Sequence, residues 1–308
     1  MKKRLVGALL ASALLGAGTA PAVAAPAVTA PAVAAPAVTA PAVAASESAS
    51  GAKSGAKSKS KPVVVDFAGT VALSNCSGSV VRMPHSQPDD PALVMSNGHC
   101  LETGFLGAGE VIVDRPSTRT FTLLDAEGGP AGTLKASKIA YATMTDTDVS
   151  LYELTSTYAQ IRSQYGIKAL ELNATHPVKN RSVKVVSGYW KKIYSCGVDG
   201  FAYRLKEGVW TWKDSVRYTS SDACQTIGGT SGSPVIDTRT GKVVAVNNTS
   251  NEDGERCTLN NPCEVDRRGN VTVRHGARYA QQTYGIVRCV AHDSKIDLDR
   301  KGCRLPKP

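Results

Sequence analysis

From Val63 onward the chain is written in short runs rich in Val, Ile and Thr, each closed off by turn residues, and helical periodicity is hard to find in it. Ser79-Val80-Val81, Val111-Ile112-Val113, Val149-Ser150-Leu151-Tyr152, Val183-Lys184-Val185-Val186, Val235-Ile236 and Val243-Val244-Ala245-Val246 are such runs. Many short strands at this spacing bury their apolar faces in a sandwich or in barrels, so an all-β fold is expected. Sparse aromatics, 6% of the chain, beside plentiful Gly, Ser, Thr and Val point the same way. One stretch departs from the pattern: Thr155 to Gly166 reads as a short helix or an irregular crossing in mid-domain. The Asn/Pro-containing stretch near Pro177 then opens a second half, giving two β-halves at about 63–155 and 177–308 within one domain, 63–308.

The segment before Val63 is of a different kind. Basic Met-Lys-Lys-Arg, an apolar stretch from Leu5 to Leu15 and small residues with Ala-x-Ala sites make residues 1–24 an export signal. Residues 25–62 continue as Pro/Ala pentapeptide repeats and then a Ser/Gly/Ala/Lys stretch, read as a disordered linker or a pro-segment. Seven basic side chains against the single acid Glu47 in residues 1–61 carry most of the net charge of +10. What remains is ordinary for a soluble domain, and no basic run is interleaved with stacking aromatics, so no nucleic-acid partner is expected. The apolar stretch is too short for a confident span and no second one follows, so the mature form is expected to stay off membranes, secreted and extracellular.

Export decides how the eight cysteines read. In an oxidising compartment an even number implies disulfides, and the sequence-near pairs are Cys76 with Cys100, Cys196 with Cys224, Cys257 with Cys263 and Cys289 with Cys303. A zinc site would call for a Cys-x-x-Cys pair or a histidine cluster, and the chain has neither, so no metal is expected. Residues 251–274 hold Glu252, Asp253, Glu255, Glu264 and Asp266 without the alternating spacing of a calcium loop, and read as a disulfide-tied hairpin turning at Arg268-Gly269-Asn270.

The chemistry is concentrated in Gly228-Gly229-Thr230-Ser231-Gly232-Ser233-Pro234-Val235, a serine among small residues just before a strand. Attack on a carbonyl needs an exposed hydroxyl, and a developing oxyanion needs backbone N–H donors that only close backbone approach supplies. In Val94-Met95-Ser96-Asn97-Gly98-His99-Cys100, His99 adjoins a cysteine that a bond to Cys76 would anchor, a crosslink contributing ~3 kcal/mol. His85, His176, His275 and His292 lack such anchoring. A carboxylate at the head of a strand would complete the set by fixing the histidine tautomer. Asp148 abuts the run 149–154 directly, and Asp146 is its local competitor.

These three motifs, spread from Cys76 to Val246, resemble the trypsin/chymotrypsin-like serine proteases. The resemblance implies two six-stranded antiparallel β-barrels with the active site in the cleft between them, and the order His99, Asp148, Ser231. It implies an oxyanion hole from the N–H groups of Gly229 and Ser231, matches Cys76-Ser77-Gly78-Ser79-Val80-Val81 to the strand before the histidine, and calls for no cofactor. Thr230 stands where trypsin-type enzymes carry the aspartate that receives a new N-terminal ammonium, and Asn97-Gly98 replaces two small residues before the histidine. The pattern from Thr226 to Val235 is closest to the bacterial glutamyl endopeptidase branch, in which Thr226 corresponds to a pocket hydroxyl, but Asn247 stands where that branch has a histidine.

The expected function is a secreted, monomeric serine endopeptidase acting on a peptide or protein laid as a strand beside Asn248 and Thr249. Thr226 and Asn247 are expected in its substrate pocket, with weak discrimination favouring a polar or small side chain before the cut and Glu preference as the main alternative. Asp222, nine residues before Ser231, reads as a solvent-facing acid. Two rivals are weighed. An α/β-hydrolase esterase needs Ser, Asp and His in that order on a parallel sheet, and only His275 and His292 follow Ser231. A catalytically silent, protease-like binding module would keep the fold without turnover.

Overall fold

A computed structural model describes residues 63–308. The segments read as signal (1–24) and linker (25–62) lie outside the described residues. The first half contains β1 (Thr70–Ala72), β2 (Ser77–Arg82), β3 (Pro91–Ser96), β4 (Val111–Pro116), β5 (Thr120–Leu124), β6 (Pro130–Thr143) and β7 (Val149–Thr157). The α-helix α1 (Tyr158–Tyr165) and the two-residue strand β8 (Leu170–Glu171) lead to the second half. That half contains β9 (Ser182–Ser187), β10 (Lys192–Glu207), β11 (Trp210–Tyr218), β12 (Pro234–Asp237), β13 (Val243–Ser250), β14 (Cys263–Val265), β15 (Val271–Val273) and β16 (Arg278–Gln282).

The strands close into two rings. Antiparallel pairing runs β1-β5-β6-β7-β3-β2 and returns from β2 to β1, with β4 added on β6 and β8 lying parallel to β2. The second ring runs β11-β16-β13-β12-β9-β10 and closes from β10 to β11, while β14 and β15 form a hairpin on the far end of β10. Closure removes the free edges that six open strands would expose.

The period-two pleat sorts side chains between cores. In β3, Ala92 and Val94 point into the first barrel, while Leu93 and Met95 point into an apolar layer that also receives Val186, Ile236 and Val246 from the second barrel. In β2, Val80 and Val81 divide the same way. A one-residue slip would therefore empty both cores at once, which fixes the register. The second barrel is filled by Val183, Val185, Tyr194, Val216, Val235 and Ala245.

Between the rings, Thr157 caps α1 by accepting from the Gln160 N–H while the Gln160 side chain accepts from the Thr157 N–H, and Gly166 ends it at φ 70°. The mid-domain stretch is thus a helix, held to the barrel by the Tyr158 hydroxyl donating to the Val81 carbonyl at 2.7 Å.

The tail beyond β16 does not stay with the second barrel. It crosses back to the first, where the Tyr141 hydroxyl donates to the Pro306 carbonyl (2.9 Å) and the Ser294 hydroxyl donates to that of Pro91 (2.6 Å). Val287, Val290 and Leu305 bury their side chains in the layer between the barrels. No helix among the described residues is long and apolar enough to cross a membrane.

Candidate active site

The cleft between the barrels is organised around Asp148, a fully buried carboxylate at the head of β7. Its Oδ1 accepts the backbone N–H groups of Gly98 (2.6 Å) and His99 (3.1 Å), and its Oδ2 lies 2.7 Å from Nδ1 of His99. The turn that delivers these donors tolerates little. A Cβ on Gly98 would collide with the Thr143 carbonyl, and Cys100, the next residue but one, is bonded to Cys76. With Nδ1 facing the carboxylate, Nε2 of His99 is left toward the cleft and has no hydrogen-bond partner among the described residues. Asp146, the local competitor, sits at φ 60° and binds Lys213 at 2.6 Å on the surface.

Asn97 was not singled out as a site residue, yet it ties the two halves of the cleft. Its Nδ2 donates to the Asp148 carbonyl (2.8 Å) and its Oδ1 accepts the N–H of Gly232 (2.6 Å), the residue after Ser231. The Asn-Gly preceding His99 was the signal: an amide to span the barrels and a glycine to pass Thr143.

Gly229 at φ 84° and Gly232 at φ 81° shape the serine turn. A Cβ on Gly232 would overlap the Ser77 carbonyl and the Ser96 hydroxyl, so the turn is seated directly on the first barrel, where the Ser77 N–H donates to the Ser231 carbonyl at 2.8 Å. Neither the Gly229 N–H nor the Ser231 N–H has an acceptor among the described residues. Their directions are set from behind. Trp190 Nε1 donates to the Gly228 carbonyl (2.7 Å), and Asn247 Nδ2 donates to the Thr230 carbonyl (3.2 Å). In a planar trans peptide the N–H points opposite the C=O, so pinning these two carbonyls turns both N–H groups the other way. The Ser231 hydroxyl donates to the Asn248 carbonyl at 3.2 Å rather than to the imidazole.

Of the residues read as pocket residues, Thr226, Asn247, Asn248 and Thr249 all line one open cleft with His99 and Ser231. The Asn247 amide is committed to the protein: beyond its bonds to Thr230, its Oδ1 accepts from the Tyr218 hydroxyl at 3.1 Å. Asn248 is the reverse case, buried with neither amide atom hydrogen-bonded. Asp222 is exposed in the turn 222–224 and lines no part of this cleft. Two charged residues escaped the sequence reading. Arg278 lies against Thr226, its Nε donating to the Thr226 carbonyl at 3.0 Å, and Glu207, at the end of β10, lines the cleft itself.

The four disulfides join Cys76 to Cys100, Cys196 to Cys224, Cys257 to Cys263 and Cys289 to Cys303. Cys76, Cys100 and His99 cluster closely enough to suggest metal ligands, but both sulfurs are spent in a disulfide and offer no thiolate. The acids of 251–274 are engaged one by one: Glu264 pairs with Arg217 at 2.6 Å, and Asp266 accepts backbone N–H groups in the turn between β14 and β15.

The imidazole of His99 is pulled in two directions. Burial disfavours its charged form and is the largest single influence. The Asp148 charge and hydrogen bond, joined by the charge of Glu207, oppose it, and the net result lies above the ordinary 6.5. The arrangement is a base held by a carboxylate, a free Nε2, an accessible hydroxyl and two aimed N–H donors.

Comparison with known proteins follows that geometry. The Trypsin-like peptidase domain family matches residues 76–246. No curated protein matches the chain. Among solved structures, the chain is similar to the MamO protease domain of Magnetospirillum magneticum, at 13% identity over 72% of this chain and 95% of that one, with a TM-score of 0.44. It is also similar to the protease Anisep of Arthrobacter nicotinovorans (16%, 72% and 92%, 0.40) and to a Nocardiopsis protease (12%, 71% and 93%, 0.39).

The opposed influences on His99 predict its titration. Followed by NMR, the imidazole should take up its proton with a midpoint above 6.5, and Asp148→Asn should move that midpoint down, since burial then acts alone with Glu207. An unmoved midpoint would show that Asp148 does not set the ring's charge.

Proposed function

The chain belongs to the trypsin-like peptidase family, and on that premise we propose that it is a secreted, monomeric serine endopeptidase that cuts peptide or protein chains through Ser231, His99 and Asp148. The observation carrying this reading is the coincidence in one cleft of the 2.7 Å His99–Asp148 contact and the Ser231 hydroxyl, beside a serine turn whose Gly229 and Ser231 N–H groups have no acceptor among the described residues.

In this mechanism a substrate strand lies along Asn248 and Thr249, and its scissile carbonyl meets Ser231. The Asn248 carbonyl, which accepts the Ser231 hydroxyl, becomes an acceptor for the substrate backbone, freeing the hydroxyl to turn to Nε2 of His99. His99 takes the proton as Ser231 attacks, Asp148 stabilises the imidazolium, and the N–H groups of Gly229 and Ser231 receive the oxyanion. Collapse expels the amine, which takes the proton from His99. Water then repeats the sequence on the acyl-enzyme to release the acid. The Thr230 hydroxyl is satisfied by Ile227 and Asn247, which supports an enzyme that does not wait for a new N-terminal ammonium.

The pocket beside Thr226 supports weak selection for a small or polar residue before the cut. Asn247 has no free donor to offer, and Arg278, Glu252 and Ser250 bring charges of both signs with a hydroxyl. Mass-spectrometric profiling of a peptide library should return a broad pattern. Cleavage confined to Glu would instead assign the glutamyl endopeptidase branch, with Arg278 as its cation.

A fluorophosphonate should label Ser231, located by peptide mapping, and absence of that adduct would favour the silent binding module. Ser231→Ala and His99→Ala should each lower turnover roughly a million-fold with little further loss in the double variant, and Asp148→Asn should cost ~10⁴. Trp190→Phe keeps the edge-to-face contact with Tyr189 but deletes the donor to Gly228, so kcat should fall about tenfold to a hundredfold with KM nearly unchanged, because the Gly229 N–H loses its aim at the transition state. A change in KM alone would assign Trp190 to substrate binding.

A further inference from the structure

The proposed mechanism leaves one buried ionisable group of the cleft unused. Glu207 is only 4% exposed, yet its side chain lines the same cleft as His99, Asp148 and Ser231. It sits on the last residue of β10, where the tight link through Gly208 and Val209 starts β11, so its place is fixed by the hairpin. Oε2 accepts from the Thr249 hydroxyl at 2.7 Å and Oε1 accepts the Asn260 N–H at 2.9 Å. Among the described residues no cation lies within 4.0 Å of it. A buried carboxylate without a counter-charge is costly to keep, and its two hydrogen bonds come from neutral donors that bring no opposite charge.

Its surroundings suit a long, positively charged side chain. Phe105 and Trp210 meet edge-to-face, with ring centroids 5.6 Å apart, and Phe105 packs in the same way on His99 at 5.7 Å. These rings form an apolar wall leading toward the carboxylate. A lysine or arginine can lay its methylene stem on such a wall while its head reaches an anion, and aromatic faces favour the cation further. In a strand bound beside Asn248 and Thr249, successive side chains point to opposite faces. If the residue before the cut enters the pocket at Thr226, the one preceding it faces His99, Phe105 and Glu207.

Resting on the peptidase reading, we infer that Glu207 is a specificity-determining residue that selects a Lys or Arg side chain two positions before the scissile bond. Burial, the dominant influence, pushes the Glu207 carboxyl above its ordinary value, as expected for an anion awaiting a partner. The other charged groups lining the cleft are His99, Asp148 and Glu252. Asp148 is wholly occupied by the histidine turn, which leaves Glu252 as the competing anion.

The test uses the full chain carrying Ser231→Ala, so that binding is read without turnover, with N-acetylated peptides that differ only at the second position before the cut. Lysine, ε-acetyl-lysine and norleucine are compared by calorimetric titration. The lysine peptide should bind about tenfold tighter than either neutral one. Glu207→Gln should bring the three within about twofold, whereas Glu252→Gln should leave the preference in place. Equal binding of the three peptides, persistence of the preference in Glu207→Gln, or its collapse in Glu252→Gln would overturn the inference. If Glu207→Gln does not fold, the peptide comparison and the Glu252 variant still decide. Absence of binding by every peptide, together with no fluorophosphonate adduct on the Ser231-bearing chain, would sink the peptidase reading itself. Equal peptide binding by a chain that does label would sink only the role of Glu207.

Discussion

A carboxylate with no exposure to water is the constraint from which the cleft is built. A carboxyl group so placed needs donors for its oxygens, and three N–H groups converge on Asp148 from the turn holding Gly98 and His99. That requirement dictates the turn. It needs a glycine where a Cβ would strike Thr143, and a cysteine bonded back to Cys76 to hold the loop. It also needs an asparagine whose amide reaches both the Asp148 carbonyl and the Gly232 N–H. The turn that supplies donors to the carboxylate thus also carries, in Asn97, the amide that aligns it with the other barrel's serine turn. Burial and attraction compete at His99, and attraction to Asp148 and Glu207 prevails, so the charged imidazole is favoured beyond its ordinary level.

The serine turn follows a second economy. Its two outward N–H groups are oriented through the carbonyls behind them, by the Trp190 indole and the Asn247 amide. An exposed tryptophan on the β9–β10 link thus supports a site it does not line, and Asn247 lines the cleft while serving the backbone. Preorganisation of this sort costs nothing at the moment of reaction, because the donors are held before any ligand arrives.

Much of this was legible in the chain. The alternating runs implied an all-β sandwich or barrels, and the serine, histidine and aspartate motifs named three residues that the fold brings into one cleft. These signals are local: a pleat period, a glycine-flanked serine, a histidine beside a cysteine. What escaped is non-local. Trp190 lies 38 residues from the carbonyl it pins, Asn97 is 135 residues from Gly232, and the tail's hydroxyl at Ser294 is 203 residues from its partner carbonyl at Pro91. Nothing in the sequence sets Glu207 apart, because only the docking of Thr249 and Asn260 against it shows that it is buried.

All four disulfides close short stretches of chain, with sequence separations of 24, 28, 6 and 14, and none of them joins one barrel to the other. Short loops close at the smallest entropic cost, so as the thiols oxidise the native partners meet sooner than distant ones and scrambling is disfavoured. Each half can thus be stapled before the halves meet. The cleft, however, exists only after they dock, since Asn97 and Ser77 belong to one barrel and Gly232 and Ser231 to the other. An oxidised but undocked chain would carry all four disulfides and still lack its site, so completing the cleft takes an association of surfaces rather than the formation of a bond.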